Sequence, residues 1–100
     1  MNANHSLQLP AQMSNSGGRW HLYIPLMNTP GLWPEHDWHR SAPTPTLAER
    51  EQALNALGYE TVPGAEWTWV EDSDVPDEPT SSVWLIATVM IRTTVVDGAA

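Results

Sequence analysis

The residues best suited to chemistry stand together in Glu35-His36-Asp37-Trp38-His39. Imidazole and carboxylate groups are suitable zinc ligands. This His-x-x-His spacing falls in a proline-broken stretch, however, and no second ligand pair stands at a diagnostic separation. His21 or His5 would join only through tertiary proximity. The segment therefore reads as polar loop residues flanking buried tryptophan anchors, with no metal. Glu71, Asp72, Asp74, Asp77 and Glu78 offer the oxygen ligands that calcium takes. Pro76 and Pro79 interrupt them and no glycine sits at the turn, so the stretch reads as a solvated acidic loop. Paired carboxylates also serve glycosidases, but a chain this small shows no evident cleft. Gly17-Gly18 lacks both the strand–helix context and the lysine of a phosphate loop. One sequence alone cannot support an order of serine, histidine and acid as a hydrolytic triad. We expect no catalysis and no cofactor.

Composition narrows the remaining classes. One hundred residues make a single domain, and 41% apolar residues suffice for one modest core. Cysteine is absent, which excludes disulfides, thiolate metal sites and thiol catalysis. Twelve acids stand against four arginines and no lysine, for a net charge of −8. That sign disfavours direct binding to nucleic acid or to an anionic membrane. It suits a basic protein partner. The start of the chain is polar without a basic opening, so no signal peptide is expected, and the longest apolar run is too short to span a bilayer. The expected compartment is the cytoplasm. Six tryptophans with no phenylalanine are unusual, and most of the six are expected in the core.

The elements that must position these residues follow from periodicity. Residues 82–92 are the longest apolar run, rich in β-branched and aromatic types. Val83, Leu85, Ala87, Val89 and Ile91 share one side of a strand there, and Trp84, Ile86, Thr88 and Met90 the other. Both sides are apolar, so this is a central strand covered on two faces. From His5 to Met13 the chain alternates as a half-buried strand, and Pro10 favours a sheet edge. Asn15-Ser16-Gly17-Gly18 makes a turn. Arg19–Met27 is a second strand with Trp20, Leu22, Ile24 and Leu26 on one face and His21 and Tyr23 on the other, ending near Pro25. Residues 28–45 carry four prolines and form a long loop, a length that is uncommon and often functional. Thr46-Leu47-Ala48-Glu49 is a capping box. The helix it opens should run from Leu47 to Leu57 and stop at Gly58, with Leu47, Leu54 and Leu57 as its core stripe. Tyr59–Val62 reads as a short extended piece. Ala65–Glu71 alternates as the third main strand.

The expected fold is thus α+β, β-β-α-β-β, a mainly antiparallel four-stranded sheet with one helix on one face. The ordered core should span about 5–92, with a flexible tail at 95–100. The preferred strand order is 1-2-4-3, which places the proline-bearing first strand and the acid-rich third at edges. One helix leaves the second sheet face to the 28–45 loop, a second copy of the chain or a partner. Trp84, Ile86 and Met90 are the residues expected there, as a self-association face.

Arg50 falls inside the apolar stripe of the helix. Either it snorkels, with its stem packed and its head in water, or its guanidinium stacks on a loop tryptophan or pairs with a loop acid and pins the loop. Aromatic anchors rimmed by polar groups mark interfaces. We therefore expect a protein–protein interaction module or small assembly subunit, able to form a homodimer. Its partner surface would comprise Trp33, His36, Trp38, His39, Arg50, Glu71, Asp72, Asp74, Asp77 and Glu78. One alternative is an acidic nucleic-acid mimic that blocks a DNA- or RNA-binding protein, though five of the twelve acids fall in one loop. Another is a small-ligand carrier with a tryptophan-lined pocket.

Arg19-Trp20-His21-Leu22-Tyr23, Asn28-Thr29-Pro30, Trp33-Pro34-Glu35-His36, Pro45-Thr46-Leu47-Ala48-Glu49-Arg50 and Leu57-Gly58-Tyr59-Glu60 form a pattern. It resembles short, acidic, uncharacterised proteins of streptomycete-type actinobacteria, over roughly residues 6–92. The resemblance implies origin, and no catalytic residue or activity. The lack of lysine beside abundant Arg, Ala, Pro and Trp suits a GC-rich genome.

Overall fold

A computed structural model describes residues 7–27 and 31–94. In chain order the elements are β1 (Gln8–Ser14), a 3-10 turn (Ser16–Gly18), β2 (His21–Tyr23), β3 (Glu35–Asp37), α1 (Leu47–Ala56), β4 (Tyr59–Thr61), β5 (Thr68–Ser73) and β6 (Val83–Thr93). The chain is α+β, with one α-helix and an antiparallel sheet among the described residues. The four expected strands are present, and the three-residue strands β3 and β4 join them. The expected start at His5 and the tail at 95–100 lie outside the described residues.

β6 organises the sheet. β1 pairs along one of its edges, from Gln8 opposite Arg92 to Ser14 opposite Ile86. β4 and β5 share its other edge end to end. The path from Thr61, opposite Ile91, to Thr68, opposite Thr88, spends its excess residues on a turn at Pro63-Gly64, where Gly64 takes φ 84°. β2 pairs with β1, and β3 with β2. The order is β3-β2-β1-β6-β4 with β5 also on β6, which corrects the expected 1-2-4-3: the first strand is central. Proline is accommodated because β2 reaches β1 only from Gln12 to Ser14. At Pro10, opposite Met90, β1 has a single neighbour and is locally an edge.

Register assigns the faces. Ala11, Met13, Leu22, Ala87, Val89 and Ile91 lie on the inner face and are buried with Trp20, Ile24 and Leu54 of α1 in one core. Val83 and Leu85 share their parity but stay 58% and 36% exposed, because β1 reaches only as far as Ile86 and beyond it only Asn15 bonds to Leu85, opposite β5. The β5–β6 hairpin thus extends past the core, in a molecule of 55 × 29 × 26 Å.

α1 forms where its cap dictates. The Glu49 amide donates to Thr46 Oγ1 at 3.1 Å and the Thr46 amide donates to Glu49 Oε1 at 2.8 Å, completing the capping box. Gly58, at φ 97°, ends it. The buried stripe differs from expectation. Arg50, Ala53 and Leu54 are buried and Leu57 is half-buried, whereas Leu47 is 66% exposed. Pro45, just before the cap, is fully buried in its stead.

Candidate functional site

The expected partner surface is divided by the sheet. His36 sits opposite Leu22, on the inner side, and meets Trp38 edge-on at 4.8 Å between ring centroids. Trp38 packs against the core and its amide donates to the Trp20 carbonyl at 3.0 Å. Trp33 lies with Tyr23, which is on the outer face. His39, at φ 57°, is exposed. Its amide donates to Asp37 Oδ1 at 2.6 Å and its Nδ1 stands 3.7 Å from the same oxygen.

Arg50 neither snorkels nor meets a loop tryptophan or acid. It is 8% exposed, with its guanidinium carbon 5.0 Å from the Trp67 ring centroid and 5.4 Å from that of Trp69, both from the segment leading through β5. Its Nε donates to the Pro45 carbonyl at 3.0 Å. Burial pushes its pKa down from the ordinary arginine value. A different arginine pins the loop: Arg40 forks onto Glu49. The loop is further tied to β2 by the Trp20 amide on the Arg40 carbonyl at 2.8 Å and the Trp20 indole N–H on the Ser41 carbonyl at 3.1 Å. Residues 34–45 therefore cover the edge of the core.

The five expected acids lie along the β5–β6 hairpin. Glu71 faces Leu85, while Asp72 faces Trp84 on the opposite side of the sheet. Asp74, Asp77 and Glu78 occupy the exposed turn region, with Asp77 at φ 69°. Trp84, Ile86 and Met90 do share the outer face; Met90 is 39% exposed and the other two are half-buried. Among the described residues no three or more His, Asp or Glu gather as a metal site.

The residues that do converge come from the outer face of β2 and β3. Pairing sets His21 opposite Asp37 and Tyr23 opposite Glu35. Trp33 lies nearly parallel to Tyr23, at 13° and 6.3 Å between centroids, and its indole N–H donates to the Leu26 carbonyl at 3.2 Å. His21 stacks on Tyr23 at 5.7 Å. His21, Tyr23, Gly31, Leu32, Trp33 and Glu35 line an open cleft of about 590 Å³. On the other side of His21 and Glu35, a smaller pocket of about 250 Å³ is lined also by Ser16, Gly17, Arg19 and Asp37.

The polar groups between the two hollows are ordered. Ser16 Oγ is 3.3 Å from His21 Nε2, and Glu35 Oε2 is 3.4 Å from His21 Nδ1. Arg19 Nη2 pairs with Asp37 Oδ2 at 3.2 Å. The His39 amide, followed by the nearby Arg19 guanidinium, holds the Asp37 carboxyl below the usual range. Burial pushes the Tyr23 phenol up, so it remains a neutral donor.

Reading the sequence alone places His21 and Tyr23 together on the face away from the core. It does not supply Glu35 or Ser16, because their approach depends on the β2–β3 register and on the turn.

A family model described as "Family of unknown function (DUF6303)" matches residues 7–99. The chain belongs to that family. The match to DUF6303 takes in every helix and strand described above, the cleft included. No curated protein and no solved structure matches the chain.

Proposed function

We propose that this DUF6303 chain is a small interaction module that takes a basic group of a protein partner into the Tyr23–Trp33–Glu35 cleft. The observation that carries this reading is the Trp33 ring, 42% exposed, standing over Tyr23 beside a half-exposed Glu35 carboxylate. An aromatic face attracts a guanidinium or ammonium through its quadrupole, and a carboxylate accepts its hydrogen bonds. A net charge of −8 favours encounter with a basic surface. Trp33 retains its expected place in the partner surface, and Tyr23 and Glu35 replace the residues facing the other way.

Nucleic-acid mimicry has less support. Glu35, Asp37, Glu49 and Glu60 each stand beside His21, Arg19, Arg40 and Arg92, respectively. Of the other described acids, Glu51 lies on α1 and Glu66 before β5, while the five of the β5–β6 hairpin include Glu71 and Asp72 on opposite sides of the sheet. The open cleft also favours a protruding side chain over an enclosed small ligand. In this reading the host is a streptomycete-type actinobacterium and the compartment the cytoplasm, on composition and resemblance.

The test is a tryptophan-emission titration with an arginine-rich peptide and with its glutamate-substituted counterpart. A saturable change with the first alone is expected, weakened by salt and removed by Trp33→Ala while circular dichroism is unchanged. Equal affinity in Trp33→Ala would move binding to another surface and end this reading.

A further inference from the structure

We infer that Ser16, His21 and Glu35 form a nucleophile–base–carboxylate relay that hydrolyses small carboxylic esters. This goes beyond the binding reading, and it departs from the expectation of no catalysis, since residue order along the chain could not reveal a triad. The three residues come from the turn after β1, from β2 and from β3, so only the fold unites them.

The connectivity is that of an activated serine. A carboxylate accepts and cannot donate, so Glu35 at 3.4 Å favours the His21 tautomer with its proton on Nδ1. The lone pair of Nε2 then faces Ser16 Oγ at 3.3 Å and can take its proton. Both distances are at the long end, as apo relays often are before substrate closes them. The turn itself is held, since the Ser16 amide donates to Oγ of the buried Ser14 at 2.9 Å. Among the described residues, His21 is the partner of the Ser16 hydroxyl. A Cβ built on Gly17 or Gly18 would meet nothing within 4 Å, so the turn that follows the serine is uncrowded. Arg19, paired with Asp37 at 3.2 Å, lines the same 250 Å³ pocket and is the cation that this lining offers a developing oxyanion. The larger cleft across His21, walled by Tyr23, Leu32 and Trp33, offers an apolar seat for one arm of the ester.

The steps balance. Ser16 Oγ bonds to the ester carbonyl carbon as its proton passes to His21 Nε2, and the carbonyl π pair moves to oxygen. Collapse of the tetrahedral intermediate breaks the bond to the alcohol oxygen, which leaves with the proton from His21. Water then bonds to the acyl carbon and gives a proton to His21 Nε2; collapse breaks the acyl carbon–Oγ bond, Oγ takes that proton back from His21, and carboxylic acid departs. Ester and water become acid and alcohol. Ser16 and His21 are the catalytic residues, and Glu35 is a positioning residue. The groups facing His21 are Ser14 and Ser16 from the β1 side, Tyr23 on its own strand, Arg19 before it, and Glu35 and Asp37 on β3.

The experiment uses the full chain with 4-nitrophenyl acetate and butyrate, and a fluorophosphonate probe mapped by mass spectrometry. A probe adduct on Ser16 and saturable turnover are expected. Ser16→Ala should abolish the adduct and lower kcat by about 100-fold or more. Glu35→Gln should lower kcat more than it changes KM, and Glu35→Asp should restore part of the rate. Exposed imidazoles cleave 4-nitrophenyl acetate without a serine, so a wild-type rate in Ser16→Ala would overturn the relay. Absence of an adduct at Ser16 in the wild-type chain would overturn it as well, whatever the variants do. Failure here with the Trp33-dependent peptide signal intact would leave the binding reading standing, and the reverse result would separate them in the other direction.

Discussion

Arg40 grips Glu49 with both ends of its guanidinium, Nη2 to Oε1 at 2.7 Å and Nη1 to Oε2 at 3.1 Å. The same Oε1 accepts from the Thr46 amide at 2.8 Å. One carboxylate therefore caps α1 and anchors the chain that leads into it. A forked pair of this kind fixes orientation as well as distance.

The pair predicts how stability follows pH. Arg40, then the Thr46 amide, holds the Glu49 carboxyl at about 2, below its ordinary value of 4.5. The unfolded chain then binds the proton more readily, so stability rises with pH through this window. The contribution is fully present above the ordinary value and is lost as pH falls from about 4.5 to about 2. Urea midpoints measured against pH should separate wild type from Glu49→Gln above pH ~5, with the two curves converging near pH ~2. Parallel curves would mean that the fork does not persist in solution.

Arg50 predicts a cost of a different kind. Its guanidinium lies against Trp67 and Trp69, and its Nε is bonded to Pro45. Arg50→Ala removes the stacking, the hydrogen bond and a buried stem. About 2–3 kcal/mol should be lost, or roughly 4–8 °C in Tm per kcal/mol for a domain of this size. Arg50→Lys should recover only part of it, because an ammonium cannot stack as a plane. Thermal melts of the three proteins rank these terms; an unshifted Arg50→Ala would show that the two indoles close over the gap.

Gly58 leaves α1 at φ 97°, and its carbonyl accepts from the Thr94 amide at 3.0 Å. No neighbour lies within 4 Å of a Cβ placed there. Gly58→Ala should therefore lose about 1–2 kcal/mol from backbone conformation alone. A denaturant midpoint lowered at unchanged slope checks this.

Local signals made much of the fold readable. Thr46 and Glu49 are three residues apart, and their bonding needs no distant partner. Leu22 and Met13 alternate with polar residues, and that period fixes which side is buried. β3 offered no such signal. Glu-His-Asp has little intrinsic strand preference, and it is a strand because it lies against His21–Tyr23. The position of β1 turned on how far β2 extends, a tertiary fact to which the warning from Pro10 is blind. The site shared this limit. Trp33 was legible as an aromatic anchor in a long loop, though not as an exposed one, and His21 and Tyr23 as residues pointing away from the core. The approach of Glu35 and Ser16 to His21 is a product of register. Arg50 was legible as misplaced in an apolar stripe, while its tryptophan partners came from beyond the helix.

The helix face yields the last prediction. Leucine spacing places Leu47, Leu54 and Leu57 on one stripe, but α1 turns Leu54 fully into the core and leaves Leu47 66% exposed. The difference arises at the entry to the helix. Pro45 occupies the buried position and Arg50 fills the space beneath Trp67 and Trp69, so the first turn has no core contact left for Leu47. Leu54→Ala should cost about 2–5 kcal/mol, through lost transfer energy and the cavity left behind. Leu47→Ala should stay within about 0.5 kcal/mol of wild type, since alanine is a better helix former and little is uncovered. Paired urea titrations measure both. Equal losses would mean that Leu47 is covered in solution by something the isolated fold does not supply, and light scattering on the same samples would identify a second copy of the chain as that cover.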